Sequence, residues 1–306
     1  MRGGIFLEVI INYVKAHFQL FLFLLILISV LIIGSILLLL YLKKKKNNKK
    51  VDSIGRLQVS NVHNIGNRES QQDSFGVSDL SNKKRCAEKG VFAVVADGMG
   101  GLAGGAEISA IVTSYMLNYF SGSTLQSNIP GLLLDMLYGA NKEVRNYLNN
   151  NDKQQSGSTL VAAIIKDNIL HFLTVGDSRI YLCRGGSFIL LNREHNYGSE
   201  LDEKAARGEI SLEEARCDSQ RNALTSYIGQ EEIVHVDRNI RPIMLLPGDR
   251  IYLMSDGIFG TLTEDEILAT AAPDIFETAI RLERAVLNKG KKNQDNFTSV
   301  NIEIHS

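Results

Sequence analysis

In Val91-Phe92-Ala93-Val94-Val95-Ala96-Asp97-Gly98-Met99-Gly100-Gly101, six apolar residues run straight into an aspartate and a glycine turn. An apolar run of that length, closed by glycines, reads as a buried strand. The aspartate at its end is costly to bury without a partner. The pattern returns in Arg250-Ile251-Tyr252-Leu253-Met254-Ser255-Asp256-Gly257. Asp73 and Asp295 also sit at the edges of apolar or turn-forming segments. Two strand-end Asp-Gly corners plus these two aspartates point to a divalent cation cluster as the shared partner.

The flanking sequence alternates short strand-like runs with a few helices. Strands are expected at Leu57–Asn61, Ser74–Val77, Val91–Ala96, Thr159–Ile165, Ile169–Thr174, Arg179–Cys183 and Phe188–Leu191. Later ones are expected at Ile233–Val236, Arg250–Met254 and Phe297–Ile304. Turns at Lys166-Asp167-Asn168 and Arg184-Gly185-Gly186 make two pairs of these into hairpins. Sequential hairpins favour antiparallel sheet over a parallel βαβ arrangement. Helices fit Ala106–Tyr119, Leu132–Leu148, Thr263–Thr270 and Ile275–Leu287, the third capped by Thr263 with Glu266. The polar stretch Asn192–Arg221 reads as a helical flap outside the core. The expected fold is α+β, a four-layer α-β-β-α sandwich of two antiparallel sheets flanked by helices.

The first 50 residues differ from the rest. Phe18 to Leu42 is 25 residues without a charge. At ~1.5 Å per helical residue these reach roughly 37 Å, enough for a hydrocarbon core about 30 Å thick. No small-residue cleavage site follows, so a transmembrane helix over 18–42 is expected rather than a cleaved signal. Lys43 to Lys46, Lys49 and Lys50 follow the run, whereas only Arg2 and Lys15 precede it. Positive charge stays on the cytoplasmic side, which puts the C-terminal part in the cytoplasm. The expected division is residues 1–17 as a short extracytoplasmic segment, 18–42 as the span, 43–52 as a basic linker and 53–306 as one large domain. Setting aside the eight Lys/Arg and one Asp/Glu of residues 1–50 leaves 25 basic and 33 acidic residues, a net of −8. That argues against a nucleic-acid surface. Cys86, Cys183 and Cys217 are too few and too scattered for a disulfide framework, which suits a reducing compartment.

Gly98-x-Gly100-x-x-Ala103 after a strand overlaps a dinucleotide-binding fingerprint. The match is weak, because no acidic residue lies ~20 positions on. An ordered series of other motifs is far more specific. Gly66-Asn67-Arg68-Glu69-Ser70-Gln71-Gln72-Asp73-Ser74 and Ala96-Asp97-Gly98-Met99-Gly100-Gly101 come first. Gly157-Ser158-Thr159-Leu160, Val175-Gly176-Asp177-Ser178-Arg179-Ile180-Tyr181 and Gln220-Arg221-Asn222-Ala223-Leu224-Thr225 follow. Ser255-Asp256-Gly257 and Asp295-Asn296-Phe297-Thr298 close the series. From Leu57 to Ile304 the chain resembles the metal-dependent serine/threonine protein phosphatases of the PPM, or type 2C, family in their compact bacterial form.

The resemblance implies the α-β-β-α sandwich with a two-metal site between the sheets. It implies that Asp97 bridges both metals and that Gly98 offers its carbonyl to one. By the same resemblance, Asp256 and Asp295 match the remaining ligands of one ion, and Asp73 matches the carboxylate that ligates or holds metal-bound water. Arg68 matches the phosphate-binding arginine, and Asp177 with Asp256 matches a third, weaker site. Hard oxygen ligands select Mg²⁺ or Mn²⁺. Two such ions ~3.5–4 Å apart can share a water and lower its pKa, so that hydroxide attacks phosphorus directly. The expected activity is hydrolysis of phosphoserine and phosphothreonine on proteins at the membrane, with a membrane Ser/Thr kinase among the substrates.

Bland readings stand beside these. Asp177 and Arg179 could form a structural ion pair on a hairpin, and Ser158 and Thr159 read as structural. His63, His171, His195 and His235 lack metal spacing and read as structural or surface. Gln71, Gln72, Leu102 and Ala106 depart from the family pattern, where asparagine, glutamate, histidine and glutamate are frequent. These departures leave the general acid open. They also support an alternative, a membrane-tethered pseudophosphatase that binds phosphoproteins without turnover. A third reading, a sensor facing outward, has only about 17 residues before the span to work with.

Overall fold

The computed structural model describes residues 57–100, 104–124, 128–151 and 156–305, with positions 11, 13, 15, 18, 27–29, 31–35 and 38 before them. The chain divides into two compact units, Met1–Asp52 and Ser53–Ser306. In the first, the described positions are helical, and Phe18, Leu31, Ile33 and Leu38 are exposed. Among the described residues no helix is long and apolar enough to cross a membrane. The expected span over 18–42 lies largely outside the described residues, and the linker 43–52 lies wholly outside them.

The second unit opens with β1 (Leu57–Asn64), β2 (Asp73–Val77), α1 (Lys83–Lys89), β3 (Val91–Met99), α2 (Gly104–Gly122) and α3 (Ile129–Asn151). It continues through β4 (Gly157–Ser158), β5 (Leu160–Lys166), β6 (Ile169–Val175), β7 (Arg179–Arg184) and β8 (Ser187–Leu190). The flap helices α4 (Tyr197–Ala206) and α5 (Leu212–Cys217) come next, then β9 (Asp237–Arg238), β10 (Ile243–Met244) and β11 (Arg250–Met254). The chain ends on α6 (Asp256–Phe259), α7 (Glu264–Ala269), α8 (Ile275–Asn288) and β12 (Phe297–Ile304). One sheet has the order β1-β12-β11-β7-β8 and the other β10-β6-β5-β3-β2, with β4 on β3 and β9 on β6. The pairings are antiparallel, as the hairpins foretold.

Side-chain alternation along each strand builds the layers. Ala93, Val95, Ile180, Leu182, Ile251, Leu253 and Val300 fill the space between the sheets. Their neighbours Phe92, Val94 and Ala96 face outward against Ile108, Val112 and Met116 of α2 and Met136 of α3. On the far side Tyr181, Tyr252 and Met254 meet Ile267 of α7 and Leu282 of α8. The result is the expected pair of antiparallel sheets flanked by helices. Both hairpins turn on two consecutive residues of positive φ, Asp167-Asn168 (53° and 61°) and Gly185-Gly186 (57° and 81°). That is the primed turn whose twist matches the strands it joins.

Three expectations need correction. Ile233–Val236 is not a strand: His235 exchanges hydrogen bonds with Ser226 Oγ, which ties this segment to a loop. Strand β3 does not stop at Ala96 but runs through Asp97 and Gly98, and positive φ appears only at Gly100 (128°). Asp256 opens the one-turn helix α6 rather than a glycine turn.

Candidate active site

The aspartates gather where β2 and β3 of one sheet meet the C-terminal end of β11 and the start of β12 of the other, beside the β6–β7 turn that crosses between the sheets. Asp73 and Asp97 are direct partners in the β2–β3 ladder. Asp73 is buried; its Oδ2 accepts a hydrogen bond from Ser255 Oγ at 2.7 Å, from the opposite sheet. Its Oδ1 is buried with no hydrogen-bond partner. Asp97 is fixed through its backbone: its N–H donates to Thr159 Oγ1 (3.1 Å), and its carbonyl accepts from Thr159 N (2.8 Å) and Ser158 Oγ (3.0 Å). Ser158 and Thr159 are therefore structural, as read from sequence. Gly98 donates to the Gln72 carbonyl at 3.1 Å, and a Cβ on it would lie 2.0 Å from the Gly105 oxygen. Only glycine allows α2 to start so close to β3.

Asp177 stands at the β6–β7 turn after Gly176, whose φ is 96°. Asp256 begins α6, and Gly257 beside it passes so close to Asn296 that a Cβ would lie 2.0 Å from its oxygen. Asp295 immediately precedes Asn296 at the foot of β12. Arg68, in the loop joining β1 to β2, reaches Asp295 Oδ2 at 2.6 Å, and both are well exposed. Asn296 holds that loop in place. It donates to the carbonyls of Ile65 (2.8 Å) and Ser70 (3.1 Å) and accepts from Gln72 N (2.8 Å).

The electrostatics show how closely the carboxylates face one another. Burial pushes Asp97 well above the usual carboxylate range, reinforced by the charges of Asp73, Asp256, Asp177 and Asp295. Burial also raises Asp73 to about 6, helped by Asp256 and Asp295 and opposed by the Ser255 hydrogen bond. Asp177 rises to about 7 through burial, Asp256 and Glu194. Asp256 is raised by burial and by Asp295. A cation placed among such groups would favour their charged forms. Among the described residues no three His, Cys, Asp or Glu side chains already stand around one point as a metal group. The donor set nonetheless fits a hard divalent ion: five carboxylates, one with an orphaned buried oxygen, and neither cysteine nor histidine among them.

Residues 62–291 match the protein phosphatase 2C family. The chain belongs to that family. A protein phosphatase 2C-type protein of Streptococcus pyogenes is 30% identical over 214 residues, covering 69% of this chain and 83% of its own. A serine/threonine phosphatase of Listeria innocua is 31% identical over 204 residues, 65% of this chain and 77% of its own. Among solved structures, the S. agalactiae serine/threonine phosphatase superposes with a TM-score of 0.71 at 25% identity, over 81% of this chain and 100% of that one. The catalytic domain of the phosphatase PstP in complex with two manganese ions gives 0.66 at 26% identity, over 82% and 99%.

Within the phosphatase 2C frame the departures take definite places. Gln72 donates its amide to the Gly100 carbonyl at 3.3 Å. Gln71 Oε1 accepts from Asp73 N at 3.1 Å, a capping role that asparagine could also fill. Leu102 lies outside the described residues. Ala106 sits in the first turn of α2, and the next residue, Glu107, buries an Oε2 without a hydrogen-bond partner. Arg179 pairs with Glu194, not with Asp177, which corrects the hairpin ion pair. Sequence reading gave no role to Ser255, Glu194 or Asn296. Asn296 follows Asp295 in a quoted motif, but its partners lie some 230 residues away and no local pattern announces them.

Proposed function

We propose that this chain is a metal-dependent phosphatase acting on phosphoserine and phosphothreonine of proteins. The observation that carries this is the convergence of Asp73, Asp97, Asp177, Asp256 and Asp295, with Arg68 at their rim, in a member of the phosphatase 2C family. Asp97, Asp256, Asp295, Asp73 and the Gly98 carbonyl would hold two Mn²⁺ or Mg²⁺ ions, and Asp177 with Asp256 a third. When bound, such ions supply an activated water for direct attack on phosphorus and neutralise developing charge. The chain's own contribution is placement. Arg68 presents a planar fork to phosphate oxygens, and its pairing with Asp295 keeps that fork at the rim before substrate arrives. The β2–β3 ladder and Ser255 keep Asp73 turned inward.

The full chain in detergent is expected to hydrolyse phosphothreonine peptides with Mn²⁺ or Mg²⁺. Activity that survives EDTA, or Asp97→Asn, sinks this reading. One observation favours the pseudophosphatase reading. Gln72, neutral where glutamate is frequent, spends its amide on the Gly100 carbonyl. Phosphopeptide binding with no turnover at saturating Mn²⁺ would select it.

The same proposal includes anchoring by residues 18–42 with residues 53–306 in the cytoplasm. It is supported by the uncharged run, the lysines after it, and exposed apolar side chains such as Phe18 and Leu31. Tethering raises the effective concentration of substrates on the same surface, phosphorylated membrane proteins and a membrane Ser/Thr kinase above all. Recovery of the chain in the soluble fraction of lysed cells would refute the anchor.

A further inference from the structure

Glu194 and His195, consecutive residues at the root of the flap, grip both sides of the Asp177 turn. Gly176 N–H donates to His195 Nδ1 at 3.1 Å, while His195 N–H donates back to the Gly176 carbonyl at 2.9 Å. The His195 carbonyl accepts from Thr225 N at 2.9 Å, where the flap rejoins the body. His195 is only 8% exposed, so this is a fixed element rather than a surface contact. On the other side of Asp177, Arg179 forms an ion pair through its Nε with Glu194 and donates to the Tyr181 hydroxyl at 2.9 Å. Its guanidinium lies 4.0 Å over the Phe259 ring. Phe259 closes α6, the single turn that Asp256 opens. Two adjacent flap-root side chains thus reach, through Gly176 on one path and Arg179 and Phe259 on the other, the elements that carry Asp177 and Asp256.

We propose that Glu194 and His195 are positioning residues that hold Asp177 and Asp256 at the spacing needed for the third, weaker ion. This rests on the phosphatase reading above. Outer-shell groups that orient metal-bearing carboxylates commonly change metal affinity by about 10–100-fold when removed. A merely structural role predicts something else: general loss of stability with no selectivity among the ions.

The test is calorimetric titration of the detergent-solubilised full chain with Mn²⁺ alone, comparing wild type, His195→Leu, His195→Asn and Glu194→Gln. His195→Leu removes the acceptor for Gly176 N–H, and His195→Asn can restore one at the Nδ1 position. The expected result is three classes of site in wild type. In His195→Leu the weakest class should weaken about 10–100-fold while the two tighter ones stay unchanged, and His195→Asn should return most of that affinity. Unchanged affinity in His195→Leu, equal weakening of every class, or a wild type with only two classes overturns the proposal while leaving the phosphatase reading intact. No Mn²⁺ uptake at all removes both. Should His195→Leu fail to fold, Glu194→Gln decides. It keeps the shape but drops the charge facing Arg179, and an unchanged weakest class there overturns the proposal.

Discussion

Replacing Asp73 with asparagine should flatten the pH dependence of stability in the metal-free protein. The carboxyl titrates near 6 in the folded chain against an ordinary 3.8. Below about pH 3 it is protonated in both states and shifts nothing. As pH rises, the unfolded chain ionises first, so the folded state loses stability through this window. Above about pH 7 the full penalty is present; at 1.36 kcal/mol per pH unit it comes to about 3 kcal/mol. About 2 kcal/mol of it falls between pH 4.5 and 7.5. Urea unfolding in EDTA at several pH values in that range measures it directly. Asparagine keeps an oxygen for Ser255 Oγ but cannot ionise, so the variant should lose about 2 kcal/mol less than wild type across the range. Its absolute stability also depends on the amide placed at the unpartnered Oδ1 position, and for that reason the slope is the informative quantity. Parallel curves for wild type and Asp73→Asn would show that burial and the neighbouring carboxylates do not hold this group protonated, and the electrostatic argument would fall.

Gly98→Ala should destabilise the domain by about 3 kcal/mol or more, because its Cβ meets Gly105 backbone at 2.0 Å; urea midpoints check this. Ser255→Ala removes the donor to Asp73 Oδ2 and the acceptor for Thr298 N, so about 2 kcal/mol should be lost. Carbon-detected NMR should also find Asp73 titrating higher in that variant. Arg68→Ala should leave stability within ~0.5 kcal/mol, since the pair with Asp295 is exposed. It should cut kcat/KM on a phosphothreonine peptide about 100-fold; an unchanged value would remove Arg68 from phosphate binding.

Strand β3 was legible because burial on both faces leaves an uninterrupted apolar run. Arg250–Met254 and Phe297–Ile304 have the expected bounds, the latter with buried Thr298, Ser299, Asn301 and Glu303 among its apolar residues. The hairpins were legible because primed turns need residues that tolerate positive φ. Ile233–Val236 misled because a half-buried loop packed beside the core carries the same apolar content as a short strand. At the site, sequence marked the aspartates through their motifs but not their surroundings. Ser255 to Asp73 depends on how the two sheets face each other, and Asn296 to Ile65 on β12 returning beside β1. Glu194 to Arg179 closes over the β7–β8 hairpin, and no periodicity encodes any of the three.

The first and last strands of the domain pair along their whole length, Leu57 opposite Ile304 through to Asn64 opposite Phe297. During synthesis β1 leaves the ribosome first and must wait for β12. At about 5–20 residues per second the delay is roughly 12–50 s. Asp295 arrives with that final strand, so the carboxylate cluster is incomplete until nearly the whole domain has been translated. A nascent chain, even one already delivered to its destination, carries no finished site, and the exposed edge of β12's future neighbours makes this interval the one in which a chaperone would matter most.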